Sequence, residues 1–493
     1  MISARQARWP AGAAAMPLAR PALLLAGLLA TTACATTTPP PPETTLAIPA
    51  DWSQADTAQS GIDPARYWEW LGDPALVQLE QRALASNRDL AQAAARLDQA
   101  RAQVRLARAG YLPQVTASGG ASKDVGDLAR DAVQFSLGAD ASWEADLFGR
   151  IGGSVAASEA DLAAAGFSLA DVQRAITGQL ALNVISARSL AAQLTLARDT
   201  LAHQEENLQI ARWRNQAGLV SSLDVEQARS QRAQTAATIP QLENSLAATA
   251  NAIATLVGEA PGPVFALLGG PGVIPSPDPA APAGSPAQVL RLRPDVRAAE
   301  ASLIAAGARV GVAKAQLLPL VRLTGTIGTA APAADLFQTI TGGLFSTVSQ
   351  LIFDGGRTRA QIANAEAAAR GSLAAWEGTI LSALEEVETA STAQRTATQR
   401  EQILQEALDA AGNSALLARS QYQAGLTDFR TLLTAENQLI AARTAALAAQ
   451  ADRASAFVRL NQALGGGWTP ELATAPASTP ASTSPASGDR TTP

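Results

Sequence analysis

From Val133 to Glu144 the chain alternates without a break. Val133, Phe135, Leu137, Ala139, Ala141 and Trp143 are apolar, and Gln134, Ser136, Gly138, Asp140, Ser142 and Glu144 stand between them. Successive side chains of a strand point to opposite faces, so this period of two predicts a strand with one apolar and one wet face. Val115–Lys123, Val321–Thr329 and Leu344–Phe353 read as further strands with weaker alternation. A second pattern has the helical period. Ile362, Ala365, Ala369, Leu373, Trp376, Ile380, Leu384 and Val387 recur in steps of three and four, which places one narrow apolar stripe on a long helix. The same reading predicts helices over Pro74–Gly110, Gly153–Asn215, Ser221–Val257, Pro294–Gln316, Thr358–Gln423 and Thr427–Leu464. A helix of about 60 residues at ~1.5 Å per residue runs roughly 90 Å. So narrow a stripe on so long a rod is buried only against other long helices, as in a coiled coil. Pro240 predicts a local kink in its helix.

The pattern occurs twice. Gln216-Ala217-Gly218-Leu219 returns as Gln423-Ala424-Gly425-Leu426, Arg150 and Glu159 return as Arg357 and Glu366, and Val257-Gly258 returns as Leu464-Gly465, all at an offset of 207. Asp89 and Pro113 return as Asp295 and Pro319 at an offset of 206. This unit is far longer than a solenoid repeat of about 20–50 residues, so the expectation is a tandem copy of a whole subdomain. The segments are 1–33, an export signal; 34–60, a tether; 61–259, the first copy; 260–287, a Pro/Gly-rich joint; 288–468, the second copy; and 469–493, a disordered tail. Within the signal, Arg5, Arg8 and Arg20 precede the apolar Leu23–Ala30, then small residues, then Cys34, the sole cysteine. That placement predicts a lipidated Cys34, although Thr31 stands where such motifs usually carry Leu. No other apolar run approaches the ~20 residues of a membrane helix.

Removing the signal takes away three arginines and no acid, so the net charge falls from −6 to −9. A nucleic-acid partner needs a basic face and is disfavoured. One histidine, His203 in a polar helical run, and one cysteine exclude a Cys/His metal cluster and a disulfide. No phosphate-cradling glycine motif follows a strand. No cofactor and no enzyme activity are expected. Two strands per copy make four per chain, too few for the smallest barrel of ~8 strands. Open strand edges cannot lie in lipid, so the strands point to a barrel shared among several chains.

Asp146-Leu147-Phe148-Gly149-Arg150, Phe353-Asp354-Gly355-Gly356-Arg357, Arg293-Pro294-Asp295, Tyr111-Leu112-Pro113 and the two Gln-Ala-Gly-Leu turns resemble the TolC/OprM family of outer-membrane efflux channels, in its NodT-like lipoprotein branch. The resemblance covers about residues 60–468. It implies a mainly α protein with β: a homotrimer whose four strands per chain form a twelve-stranded transmembrane barrel in outer-membrane lipid, continued by a coiled-coil periplasmic tunnel. It also implies a periplasmic adaptor and an inner-membrane pump of the RND type as partners. The turns Gly218-Leu219 and Gly425-Leu426 would dock the adaptor. In the OprM-like pattern a Leu stands five residues after the second turn glycine and an Asp nine after it. Here those positions are Arg430 and Thr434, and the acids nearest the tips are Asp224 and Asp428. The resemblance thus makes Asp224, Asp428, Arg430 and Thr434 the periplasmic gate candidates, with Arg430 paired to one of the acids. A passive duct for small solutes is the leading reading. The alternatives are the exit of a type I protein secretion system and a lipid-anchored periplasmic coiled-coil scaffold.

Overall fold

The computed structural model describes residues 46–53, 64–123, 125, 132–268, 273–277, 284–332 and 335–469. The export signal with Cys34, most of the tether, parts of the inter-copy joint and the tail beyond residue 469 lie outside the described residues. After a short 3-10 segment, Pro64–Leu71, come α1 (Pro74–Ser86), α2 (Arg88–Ala109), β1 (Gln114–Ser122), β2 (Gln134–Ala145), α3 (Arg150–Gln216), α4 (Ser222–Val257) and α5 (Pro263–Leu268). There follow α6 (Pro286–Leu292), α7 (Pro294–Ala315), β3 (Leu320–Pro332), β4 (Thr341–Ser349), α8 (Arg357–Gln423) and α9 (Phe429–Ala463). The order helix, two strands, 67-residue helix, 35- or 36-residue helix occurs in each half.

The chain forms two compact units. One comprises Arg105–Ala157 and Ala305–Ala369, and its centre is a four-stranded antiparallel sheet in the order β1-β2-β3-β4. The twelve-residue alternation is β2, displaced by one residue from the predicted Val133–Glu144. β4 lies earlier than the predicted Leu344–Phe353. Leu320 pairs with Ser349 as the last rung of β3 on β4, and Pro319 has no N–H to extend it. The apolar Ile352 and Phe353 therefore leave the sheet, 89% and 88% exposed. Among the described residues, β1 and β4 each keep one edge without a strand partner.

The other unit comprises Glu43–Val104, Ser158–Ile304 and Arg370–Pro493. Its largest core gathers Tyr67, Leu76, Leu79, Leu180, Val184, Ile185, Ile253 and Phe457 from α1, α3, α4, α9 and the 3-10 segment. The stripe predicted on α8 is buried or half-buried at all eight positions. Two expectations are corrected. The helix predicted over Pro74–Gly110 is two helices, because Asn87 adopts extended backbone and its carboxamide oxygen caps α2, accepting from Asp89 N at 2.8 Å and Leu90 N at 3.0 Å. α4 runs on through Pro240, and the ring is exposed where water can satisfy the carbonyl left without its N–H. Finally, α3 holds an 18-residue window of mean hydropathy 1.3, apolar enough to cross a membrane by length and composition. Alanine raises that value, and α3 sends Ile176, Leu180, Val184 and Ile185 into the protein core.

Candidate functional site

Two places concentrate the residues that the sequence singled out. The first is the sheet. Residues directly opposite one another in paired strands share a face, so the register sorts every strand position. One face carries Val115, Ala117, Gly119 and Ala121 of β1, then Phe135, Leu137, Ala139, Ala141, Trp143 and Ala145 of β2. It continues with Val321, Leu323, Gly325, Ile327, Thr329 and Ala331 of β3 and with Gly342, Leu344, Ser346 and Val348 of β4. No charge falls on it. The opposite face holds Gln114, Thr116, Ser118 and Ser122, Gln134, Ser136, Asp140, Ser142 and Glu144, and Arg322, Thr324 and Thr326. Every charged residue of the four strands is therefore on one side. Glu144 anchors the return to helix, receiving Arg150 Nε at 2.8 Å and Nη2 at 2.9 Å. Asp146 then accepts the backbone N–H groups of Ile151 and Gly152, which open α3, at 3.0 and 2.7 Å. In the second half Asp354 accepts in the same way from Gly356 and Thr358.

The second place is the pair of helical turns. Gly218 and Gly425 have φ of 71° and 74°, the left-handed conformation that ends a helix and that glycine adopts without strain. Leu219 N donates to Arg214 O and Leu426 N to Gln421 O, both at 2.8 Å, so the two turns close with the same geometry. Leu219 and Leu426 are 73% and 79% exposed, two apolar side chains presented outward on the turns. The gate candidates stand just beyond. Asp224 forms a capping box with Ser221, accepting Ser221 N at 3.0 Å. Asp428 caps α9, accepting from Thr431 N at 2.8 Å and from its hydroxyl at 2.6 Å. Those two bonds are the largest influence holding the Asp428 carboxyl below its ordinary range. Thr434 donates back to Arg430 O at 2.8 Å. Among the described residues no salt bridge joins Arg430 to either acid, although the Arg430 charge adds to the lowering of the Asp428 carboxyl. Both acids are occupied as helix caps.

What joins the two hairpins is a set the sequence did not reveal. Arg214 of α3 donates to Tyr422 O at 3.3 Å and to Gln423 O at 3.4 Å, and its guanidinium lies 4.4 Å from the Tyr422 ring centre. Tyr422 packs on Phe429 with ring centres 5.8 Å apart. Glu436 of α9 receives Asn207 of α3 at 2.9 Å and Arg419 of α8 at 3.2 Å. Leu208, Ala211, Ala228, Ala415, Ala418 and Leu432 fill the space between. The available signal was the comparison of halves: Asn215 stands where Tyr422 stands, at an offset of 207, and it spends its amide on its own turn at Val220 O. Among the described residues no group of acids, histidine or cysteine could hold a metal ion. His203 is an exposed helical residue.

A charge-sorted four-stranded sheet and paired 67-residue helices can be set against known proteins. The family described as outer membrane efflux protein matches residues 79–259 and again 286–466. The chain belongs to the outer membrane efflux protein family. The pyoverdine export outer membrane protein OpmQ of Pseudomonas aeruginosa is 32% identical over 441 residues, covering 86% of this chain and 92% of the relative. Nodulation protein T of Rhizobium leguminosarum bv. trifolii is 29% identical over 434 residues, covering 86% and 93%. Among solved structures, the outer-membrane channel OprN superposes with a TM-score of 0.80 at 32% identity over 87% of this chain and 99% of that one. CusC does so with a TM-score of 0.76 at 27% identity over 87% and 100%. This efflux protein is thus an outer-membrane channel component of export machinery, located in the outer membrane and reaching into the periplasm. The relatives favour efflux over the secretion-exit and scaffold readings.

Proposed function

We propose that three copies of this efflux protein close a twelve-stranded barrel in the outer membrane and continue it as a coiled-coil periplasmic tunnel, each chain contributing two tandem copies of one subdomain. The observation that carries this reading is the register of the sheet. Four strands with an uncharged apolar face, a charged wet face and two open edges suit a shared barrel: lipid outside, water inside, and edges closed by neighbouring chains. The channel performs no chemistry. It passes small solutes, delivered by a periplasmic adaptor and an RND-type inner-membrane pump, down a water-filled path. OpmQ is named for pyoverdine export and TtgF for toluene efflux, which suits a wide duct with no chemical pocket. Cys34 carries lipid in this reading, and intact-mass analysis of the membrane-extracted protein should find an acylated first residue.

In the same reading the exposed turns Gly218-Leu219 and Gly425-Leu426 meet the adaptor. The channel end near Asp224, Asp428, Arg430 and Thr434 is the gate. Since both acids are occupied as caps, the closing contact assigned here is Arg214 on Tyr422, with Arg430 repeated around the axis as a cationic ring. Adaptor engagement would part the two hairpins and break that contact. Conductance in planar bilayers tests this. Arg214→Ala should raise the open probability, and Arg430→Ala should shift permeability toward cations. An Arg214→Ala channel as closed as the parent removes the gate from this contact, while trimers with twelve strands in electron cryomicroscopy test the barrel independently.

A further inference from the structure

The wet face of the sheet carries one aromatic side chain among its paired positions. Phe345 shares a row with Gln114, Ser142 and Thr324, each the direct partner of the next across the four strands. It is 58% exposed. Its ring lies back along its own strand over Gly343: a Cβ added at Gly343 would stand 2.7 and 2.8 Å from two ring carbons. Glycine at 343 is therefore what leaves room for the ring. Leaning this way brings the phenyl toward the next row, Thr116, Asp140, Thr326 and Gly343.

Asp140 is the second element. It is exposed, and its direct partners Thr116 and Thr326 and diagonal neighbours Gln114, Ser118, Thr324 and Gly328 are all neutral. Glu144 differs, being neutralised by Arg150 with Arg322 directly opposite. So on this face a carboxylate without a nearby cation and a phenyl ring sit in adjacent rows. They are two strand spacings apart, about 10 Å at ~4.8 Å per strand.

We propose that Asp140 and Phe345 form a binding strip for amphiphilic organic cations, with the onium or ammonium head at Asp140 and the aromatic or apolar body at Phe345. The proposal rests on the reading that this face lines the channel. A carboxylate facing a water-filled lumen with low-dielectric walls concentrates cations and repels anions. An exposed ring offers apolar surface and a cation-attracting π face. Together they favour a solute that carries both features, and each of three chains would present the pair once.

The test uses the full trimer in planar bilayers with tetraphenylphosphonium as probe and tetraphenylborate as its anionic counterpart. The wild-type channel should show reversible, concentration-dependent block by the cation and several-fold weaker block by the anion. Asp140→Asn should abolish that preference and lower potassium-over-chloride permeability. Phe345→Ser should weaken cation block several-fold without changing ion selectivity, and Phe345→Leu, which keeps bulk, should do so in part. Cysteines placed at the two positions separate the failures. If they react with a water-soluble methanethiosulfonate and change the current, yet block is the same in all variants, the strip is refuted and the lumen reading stands. If neither cysteine reacts, the lumen reading falls and the strip with it.

Discussion

The two halves of this efflux protein solve one packing problem with different residues. In the first half Asn87, in the break between α1 and α2, donates its amide to Leu256 O at 2.7 Å. In the second half Arg293, 206 residues later, donates to Ala463 O at 2.9 Å, and Ala463 stands 207 residues after Leu256. Each ties the start of a short helix to the end of the long hairpin. A glycine of positive φ sits beside each tie: Gly258 at 78° and Gly465 at 85°. The neutral version needs no counter-charge. The charged one is 1% exposed and needs two acids, Asp295 at 2.6 Å and Glu386 at 2.7 Å. Burial works against ionised Asp295, but the Arg293 guanidinium prevails and holds its carboxyl below the usual range. The difference teaches that what the two halves share is a backbone junction, while the side chain that fastens it is free to change.

The largest effect expected from breaking this comparison is at the charged tie. Arg293→Ala leaves the part-buried Asp295 without its partner, frees the exposed Glu386 and orphans the Ala463 carbonyl. Removing one partner of a fully buried ion pair costs about 3–5 kcal/mol, and the lower end applies here because water reaches both acids. Asn87→Ala removes a neutral hydrogen bond to the half-buried Leu256 carbonyl, at about 1 kcal/mol, and the cap of α2, at about another 1 kcal/mol. Thermal unfolding of the detergent-solubilised protein, read by circular dichroism, should rank Arg293→Ala below Asn87→Ala. Equal losses would mean that the charge adds nothing to the junction.

A second test compares glycines. A Cβ on Gly258 would stand 2.3 Å from the Ser86 carbonyl oxygen, whereas one on Gly218 meets nothing within 4 Å. Both residues have left-handed backbone, which costs a non-glycine residue roughly 1–2 kcal/mol. Gly258→Ala adds overpacking of about 1–3 kcal/mol. Gly218→Ala should therefore lower the melting temperature a little and leave the yield of folded protein intact, while Gly258→Ala lowers both.

Much of this was legible in the sequence, and the reason is periodicity. β2 and the stripe on α8 declare themselves because burial on one face repeats every two or every 3.6 residues. The turns were legible because Gln-Ala-Gly-Leu occurs twice and glycine is what a left-handed helix end asks for. Asn87 was not, since an asparagine inside an Ala- and Leu-rich helical run looks like a tolerated residue until its amide finds Leu256. β4 was misplaced because Leu351-Ile352-Phe353 carries strand composition while the rung that would pair with it is lost at Pro319. The fastening of the hairpins by Arg214, Tyr422 and Glu436 was invisible because it joins residues about 17 to 229 positions apart. Charge near the turns drew attention to Asp224 and Asp428, and local capping uses both.

A last expected effect depends on pH and concerns a residue that only the first half has. Glu80 is 1% exposed, and among the described residues neither carboxylate oxygen has a hydrogen-bond partner. The position 206 residues later is Pro286. Burial alone pushes the Glu80 carboxyl well above its ordinary value of 4.5. Below that pH both the folded and unfolded chains hold the proton, so Glu80 contributes no pH dependence. Above it the unfolded chain releases the proton and the folded chain keeps it. Stability therefore falls with rising pH until the folded carboxyl itself ionises. Each unit by which burial raises this carboxyl costs about 1.4 kcal/mol at the upper end of that window. Glu80→Gln keeps the shape and removes the titration. Its melting temperature should match wild type near pH 4.5 and exceed it progressively toward neutral pH. If the two curves stay parallel from acid to neutral pH, Glu80 is ionised in the folded protein and a partner outside the described residues must be neutralising it.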